Sequence, residues 1–330
     1  RDNVKDFFKT GHTTDNNVSV SGYSDNSNYL VSYSFLKTDG TMPSTDYSRH
    51  SLFTKYNTRL GKNLQLTTQF TFVSSDNHRL PEGNALANPL WTVYAAPISW
   101  DPFPITNPDG SQRVYRGARN NPYWSVANVG LRDRTNRVLP VINLTYNPLP
   151  WLTITERLGA DMYVNNLDYH ENTGVIGSTS EGGKVWTRQN QFQQFNNDLM
   201  IQARKDFGDD WSTDIILGNN ILSNYSNSAY QLGVELLTPG LYTISNTNSV
   251  SADYDYYKKR KVGFYAQANV EFRKMLTLAV TGRYDGSSVL SKDKQFYPYG
   301  SVSGGFIFTE ALGMSSNKIF NFQSIVFFTL

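Results

Sequence analysis

Cysteine is absent from the 330 residues, which excludes disulfides and thiolate chemistry. An excess of charge of either sign is missing as well. The 30 Lys and Arg are nearly balanced by 28 Asp and Glu, so nothing electrostatic points to a nucleic-acid partner. Mean hydropathy is negative, and no apolar run approaches the roughly 18 residues of a membrane-crossing helix. The four histidines, His12, His50, His78 and His170, show no metal-binding spacing, and surface or loop positions account for them. No Gly-x-Ser-x-Gly elbow, phosphate-cradling Gly-Lys-Ser/Thr or nucleophile–base pair is found. The expectation is a protein that is not an enzyme and has no cofactor or metal. Asp209-Asp210 reads as turn chemistry and Asp253/Asp255 as a solvated loop, in preference to calcium ligands. The chain opens on Arg1 with no apolar segment behind it, so a processed chain or a fragment is expected.

What the sequence does have is strict alternation. Val262, Phe264, Ala266, Ala268, Val270 and Phe272 fall on one face of an extended segment. Gly263, Tyr265, Gln267, Asn269, Glu271 and Arg273 fall on the other. Arg273-Lys274-Met275 turns the chain, and Leu276, Leu278 and Val280 begin the next apolar row. Leu52, Thr54, Tyr56 and Leu60 align in the same way with Leu64, Leu66, Phe70 and Phe72, across from Arg49, Lys55, Asn57, Arg59, Gln65 and Gln69. About eleven strands are legible by period and turn signals, with 319–328 a weak twelfth and 310–316 a helical turn. The strands include 16–23, 27–36, 47–60, 64–74, 137–146, 151–164 and 211–225.

Their connections alternate. Short turns lie near residues 25, 62, 148, 208 and 274, and long polar loops near 40, 105, 175, 240 and 291. Short turns at one end and long loops at the other are the pattern of a transmembrane antiparallel β-barrel. Aromatics, at 14% of residues, agree with interfacial girdles. Trp151 and Trp211 each follow a short turn, which places both at one membrane rim, although a Trp packed on a turn would look the same. Residues 75–136 form the longest irregular stretch and hold seven of the thirteen prolines. In a barrel that stretch is a long extracellular loop.

Several segments resemble the SusC/RagA family of TonB-dependent outer-membrane transporters. They are Phe7-Phe8-Lys9-Thr10-Gly11 at the barrel entrance, the serine-rich hairpin through Tyr33, and Asn121-Pro122-Tyr123-Trp124. Arg283-Tyr284-Asp285-Gly286-Ser287-Ser288 and Gly304-Gly305-Phe306-Ile307-Phe308-Thr309-Glu310 complete the set, in the family's order. The resemblance implies a barrel of about 22 strands around a plug in the bacterial outer membrane. It also implies a SusD-like surface lipoprotein partner, energy from the TonB complex through the plug, and uptake of oligosaccharides or peptides. The plug is missing here, and 315–330 departs from the family pattern. The whole chain is therefore expected to be part of one barrel domain, with the remaining strands elsewhere, because lipid does not tolerate an open sheet edge.

Within that frame the ligand-binding candidates are aromatics of the outer loops: Trp91, Tyr94, Trp100, Tyr115, Tyr123 and Trp124 in one loop, and Tyr254, Tyr256 and Tyr257 in another. Flat rings with polar handles suit sugar faces, and they equally suit packing of the loop itself or contact with the lipoprotein. Arg49, Lys55, Arg59, Gln267 and Asn269 are expected to face the lumen. The run Lys258-Lys259-Arg260-Lys261 suits anionic lipopolysaccharide or a solvated rim. The rival reading is a surface β-rich glycan-binding or adhesin module that does not transport. Dispersal without detergent would favour that rival.

Overall fold

A computed structural model describes residues 2–83, 85–312 and 325–329. Its element order is α1 (Asn3–Phe7), β1 (His12–Tyr23), β2 (Ser27–Asp39), β3 (Asp46–Arg59), β4 (Leu64–Arg79), α2 (Pro89–Ala95) and α3 (Pro122–Asn128). Then follow β5 (Val129–Leu149), β6 (Leu152–Glu171), β7 (Lys184–Phe207), β8 (Trp211–Leu236), β9 (Thr247–Phe272) and β10 (Leu276–Ser287). Last come β11 (Phe296–Phe306), α4 (Phe308–Ala311) and β12 (Ile325–Thr329). The twelve strands form one sheet in sequence order, each antiparallel to its neighbours. No second sheet packs on it among the described residues. The expected twelfth strand is seen at Ile325–Thr329; the rest of 319–328 lies outside the described residues, as do 313–316 of the expected helical turn.

The register carries two continuous faces across the sheet. Val31 pairs with Thr54, Thr54 with Phe70, Phe70 with Pro140, Ile142 with Leu158, and Ala160 with Phe195. Ile201 pairs with Leu217, Leu217 with Ala266, Val270 with Leu278, and Val280 with Val302. Among the described residues nothing covers this apolar row: Phe264 is 53% exposed and Leu217 53%. A monomer in water does not leave an apolar sheet face of this extent bare, so it is the face that meets lipid. Pro140 interrupts the β5–β6 ladder in mid-strand and leaves a dent of about 340 Å³ in this face, between Ile142, Leu158 and Phe195.

The strands outrun their hydrophobic patterning. β8 continues to Leu236 where alternation suggested an end near residue 225, and β9 starts at Thr247, not near 261. β5 starts at Val129, so the expected 75–136 loop is reduced to residues 80–128. The reason is physical. A tilted strand crosses the bilayer in roughly 10 residues, whereas the 26 residues of β9 reach ~85 Å. Beyond the membrane both faces are polar, so the ladder continues with no alternation to betray it.

Short turns and long connections interleave as expected. Residues 24–26, 60–63, 150–151, 208–210 and 273–275 turn at one end; 40–45, 80–128, 172–183, 237–246 and 288–295 connect at the other. Trp151 and Trp211 both stand at the short-turn end, half exposed, and the Trp211 ring lies 4.6 Å from that of Phe272. Because β1 runs toward a short turn, α1 and the Phe7-Phe8 motif sit at the long-connection end.

Candidate functional site

The face opposite the lipid-facing one is a polar wall closed by hydrogen bonds across strands. Asn57 Nδ2 donates to Asn28 Oδ1 at 2.6 Å, and Asn57 Oδ1 accepts from Thr67 Oγ1 at 2.8 Å. Tyr265 donates to Asp198 at 3.1 Å. Guanidiniums and carboxylates pair along the same face: Arg137 with Asp161 at 2.5 Å, Arg79 with Asp133 at 3.1 Å, and Arg283 with Asp285 at 2.8 Å. Arg49, Lys55, Arg59, Gln267 and Asn269 share this face by the pairing register. Such a wall is costly to bury and well suited to water.

Its upper half carries an aromatic cluster that sequence reading missed. Tyr163 stacks on Phe192 at 5.2 Å, Tyr169 stacks on Trp186 at 5.2 Å, and Trp186 meets Tyr230 at 6.0 Å. Arg188 lies 4.9 Å above the Tyr230 ring. Above them Glu171 is 4% exposed; it accepts from Tyr169 Oη at 2.5 Å and from Ser178, and pairs with Lys184 at 3.1 Å. These rings come from the three consecutive strands β6, β7 and β8. Only the register brings them together.

The long connection 80–128 is a small folded unit. Asn88 and Asn121 each cap a helix whose first residue is proline, a strong start signal that residues 75–136 hid among their prolines. Asn120 and Asn121 are 1% and 0% exposed. Asn120 Nδ2 donates to the Leu86 and Ile176 carbonyls at 2.8 and 2.9 Å, and its Oδ1 accepts from Gln112 Nε2 at 2.7 Å and the Ile176 amide at 2.8 Å. Asn121 Nδ2 donates to the Pro102 carbonyl at 2.7 Å. Ala87, Trp124, Val129 and Val175 form the buried apolar cluster beneath, with Ile105 and Tyr169 against it. The 172–183 connection is thereby clamped to the 80–128 connection. Asn3 Nδ2 ties α1 in by bonds to the Pro97 and Trp100 carbonyls, both 3.0 Å.

The expected aromatic candidates separate into three groups. Trp124 and Tyr115 are buried, and Trp100 packs on Tyr115 at 5.3 Å. Tyr123 is wedged between Phe7 and Phe103. Trp91 and Tyr94 on α2 remain accessible, with Arg119 5.3 Å from the Trp91 ring. Tyr254, Tyr256 and Tyr257 are not in a loop: they lie on β9 above the membrane band, Tyr254 and Tyr256 on the lipid-facing side and Tyr257 on the polar side. The histidines keep to the surface part of the expectation at His12 and His50, which are exposed, and leave it at His78 and His170, which are partly buried. All four are on strands; His50 contacts Tyr33 at 2.7 Å, His78 contacts Asp46 at 3.0 Å, and His170 stacks on Tyr242 at 3.9 Å.

One sheet, greasy on one face, hydrogen-bonded on the other and capped by folded connections at one end, is the wall of a transmembrane β-barrel. No known family profile matches the chain. A TonB-dependent receptor, P26, from Formosa agariphila is 22% identical over 319 residues, covering 92% of this chain and 31% of the relative. The RagAB peptide transporter structure superposes with a TM-score of 0.81 at 15% identity, over 96% of this chain and 36% of that one. The ferripyoverdine receptor of Pseudomonas aeruginosa superposes with a TM-score of 0.54 at 12% identity, over 90% of this chain and 39% of that one. The chain spans about a third of the length of these relatives. The fold is that of the barrel wall of TonB-dependent outer-membrane proteins, and the chain belongs in the bacterial outer membrane. Within that class its resemblance is to the SusC/RagA type.

Proposed function

We propose that this wall serves an importer that takes up oligopeptides or oligosaccharides, powered by TonB through a plug and assisted by a SusD-like surface lipoprotein. The observation that carries the reading is the two-faced sheet: lipid-facing apolar rows backed by a hydrogen-bonded polar wall that can line a passage. No covalent chemistry is required of it. The paired Arg–Asp groups and exposed amides of the wall offer donors and acceptors to peptide backbone, and the Tyr169–Trp186–Tyr230 rings offer stacking surfaces to side chains or sugar faces. The likeness to the RagAB peptide transporter supports peptide as the first substrate to test. The long connections face outward, as in other outer-membrane barrels, and Trp91 and Tyr94 on α2 lie where a capping lipoprotein or an arriving ligand would touch.

The test is uptake by cells that express the protein, with labelled oligopeptides and oligosaccharides offered in parallel. Uptake should require an intact proton gradient and TonB, and should fall about tenfold in Trp186→Ala/Tyr230→Ala. Uptake that persists after the gradient is collapsed overturns the proposal.

A further inference from the structure

The strand assignment of Tyr254 and Tyr256 leaves two of the predicted ligand rings on the outside of the barrel, where no imported substrate passes. Their neighbours there form a continuous polar belt across four strands. Gln189 Nε2 on β7 donates to Asn166 Oδ1 on β6 at 3.0 Å, and Gln191 Nε2 donates to Gln189 Oε1 at 3.3 Å. Asn227 on β8 donates to Gln191 Oε1 at 3.3 Å and to Tyr225 Oη at 3.2 Å. The Tyr225 and Tyr254 hydroxyls are 3.4 Å apart. The register puts all of these on the lipid-facing side, directly above the apolar rows that include Phe195, Ile221, Val262 and Phe264.

Two cations complete the belt on the same side of β9. Lys258 is opposite Tyr225, and Arg260 is opposite Ser223; both are exposed or nearly so. Neither side chain joins an ion pair among the described residues. The acidic residues of this stretch, Asp253 and Asp255, occupy the alternate positions and lie on the polar wall. The same rim over β3–β6 is different. There Asp76 neutralises Arg132 at 2.6 Å, Asp168 neutralises Arg134, and Asp46 meets His78 at 3.0 Å. The outer rim thus has one self-neutralised sector and one that keeps free positive charge beside amides and tyrosines.

We propose that the outer wall of β6–β9 binds the phosphorylated saccharide headgroup of lipopolysaccharide. Lys258 and Arg260 meet phosphate, the Asn166–Gln189–Gln191–Asn227 amides meet sugar hydroxyls, and the acyl chains run down the Phe264 and Ile221 rows. The ligand class follows from position and charge: a surface at the edge of the apolar band, with two cations outside any ion pair and the β6 carboxylate Asp168 already taken up by Arg134, meets the headgroup layer of the leaflet it enters. This rests on the membrane orientation of the wall and is independent of what the protein imports.

The experiment isolates the protein from outer membranes in mild detergent and quantifies the lipopolysaccharide that copurifies. Lys258→Gln/Arg260→Gln should lower it at least fivefold. Lys259→Gln/Lys261→Gln, with the same charge change on the opposite side of the same strand, should leave it within twofold. Heat-modifiable gel mobility reports whether each variant forms its barrel, and uptake reports separately on transport. Should the first variant fail to fold, Gln191→Leu/Tyr254→Phe should lower bound lipid at least threefold. After delipidation, rebinding should be at least fivefold weaker for dephosphorylated lipopolysaccharide and for phosphatidylglycerol. Equal loss in both cation pairs, no loss in either, or equal rebinding of phosphatidylglycerol overturns the proposal.

Discussion

Arg273 reaches across to Asp210 in the neighbouring short turn: Nε donates to Oδ1 at 2.7 Å, and the Arg273 backbone N–H donates to the Asp210 carbonyl at 2.6 Å. Two hairpins are thereby fastened at the rim where Trp211 and Phe272 also meet. The guanidinium bond holds the Asp210 carboxyl below its ordinary range and raises Arg273. A carboxylate whose folded pKa is depressed adds stability above its unfolded pKa, and that contribution is lost as pH falls through the folded value. Amide protection at residues 208–212 and 272–276, taken relative to the intrinsic exchange rate at each pH, should therefore be steady from neutral pH down to about 5 and fall only below about 4. Asp210→Asn should remove that acid step.

The turn that carries Arg273 is itself strained. Arg273 and Lys274 have φ of 48° and 56°, the geometry of a type I′ turn that favours Asn or Gly. The Lys274 side chain makes no hydrogen bond or ion pair among the described residues. Lys274→Gly should stabilise the protein by about 1 kcal/mol and Lys274→Val should destabilise it, measured by urea unfolding in lipid vesicles.

Asn120 is the keystone of the outward connections. Asn120→Leu would leave the Leu86 carbonyl, both peptide groups of Ile176 and the Gln112 amide short of a partner, at about 1–3 kcal/mol for each group that water does not reach. Limited proteolysis within 80–128 and 172–183 should rise at least tenfold, while heat-modifiable mobility of the barrel stays unchanged. If cleavage does not rise, the clamp is unimportant.

The two walls should respond oppositely to charge. Leu217→Arg, on the lipid-facing side, should cost about 2–4 kcal/mol near the bilayer centre. Ile216→Arg, one residue away on the polar wall, should cost less than about 1 kcal/mol, although it replaces an apolar residue of similar size. Unfolding of both variants in lipid vesicles tests the assignment of faces directly. Equal costs would reject it.

Period two in the chain determined a good deal. It set the class of sheet, the sequence-order meander, the end at which turns are short, and the side on which Val262, Phe264 and Leu278 lie. Each of these is local: alternation and turn residues act over a few positions. Strand length was hidden, because above the membrane Tyr254 and Lys258 alternate with Asp253 and Tyr257, all polar enough for water on either face. The helices behind Asn88-Pro89 and Asn121-Pro122 were spelled in the sequence but masked by their irregular surroundings. Only the tertiary structure decided that Trp124 is buried in the core beneath the connections, that Asn120 bonds Ile176, 56 residues further along, and that Trp186 finds Tyr169 and Tyr230. Those relationships depend on pairing register across several strands, which no short stretch of sequence encodes. The same register moved Tyr254 and Tyr256 from the imagined loop to the outside of the wall.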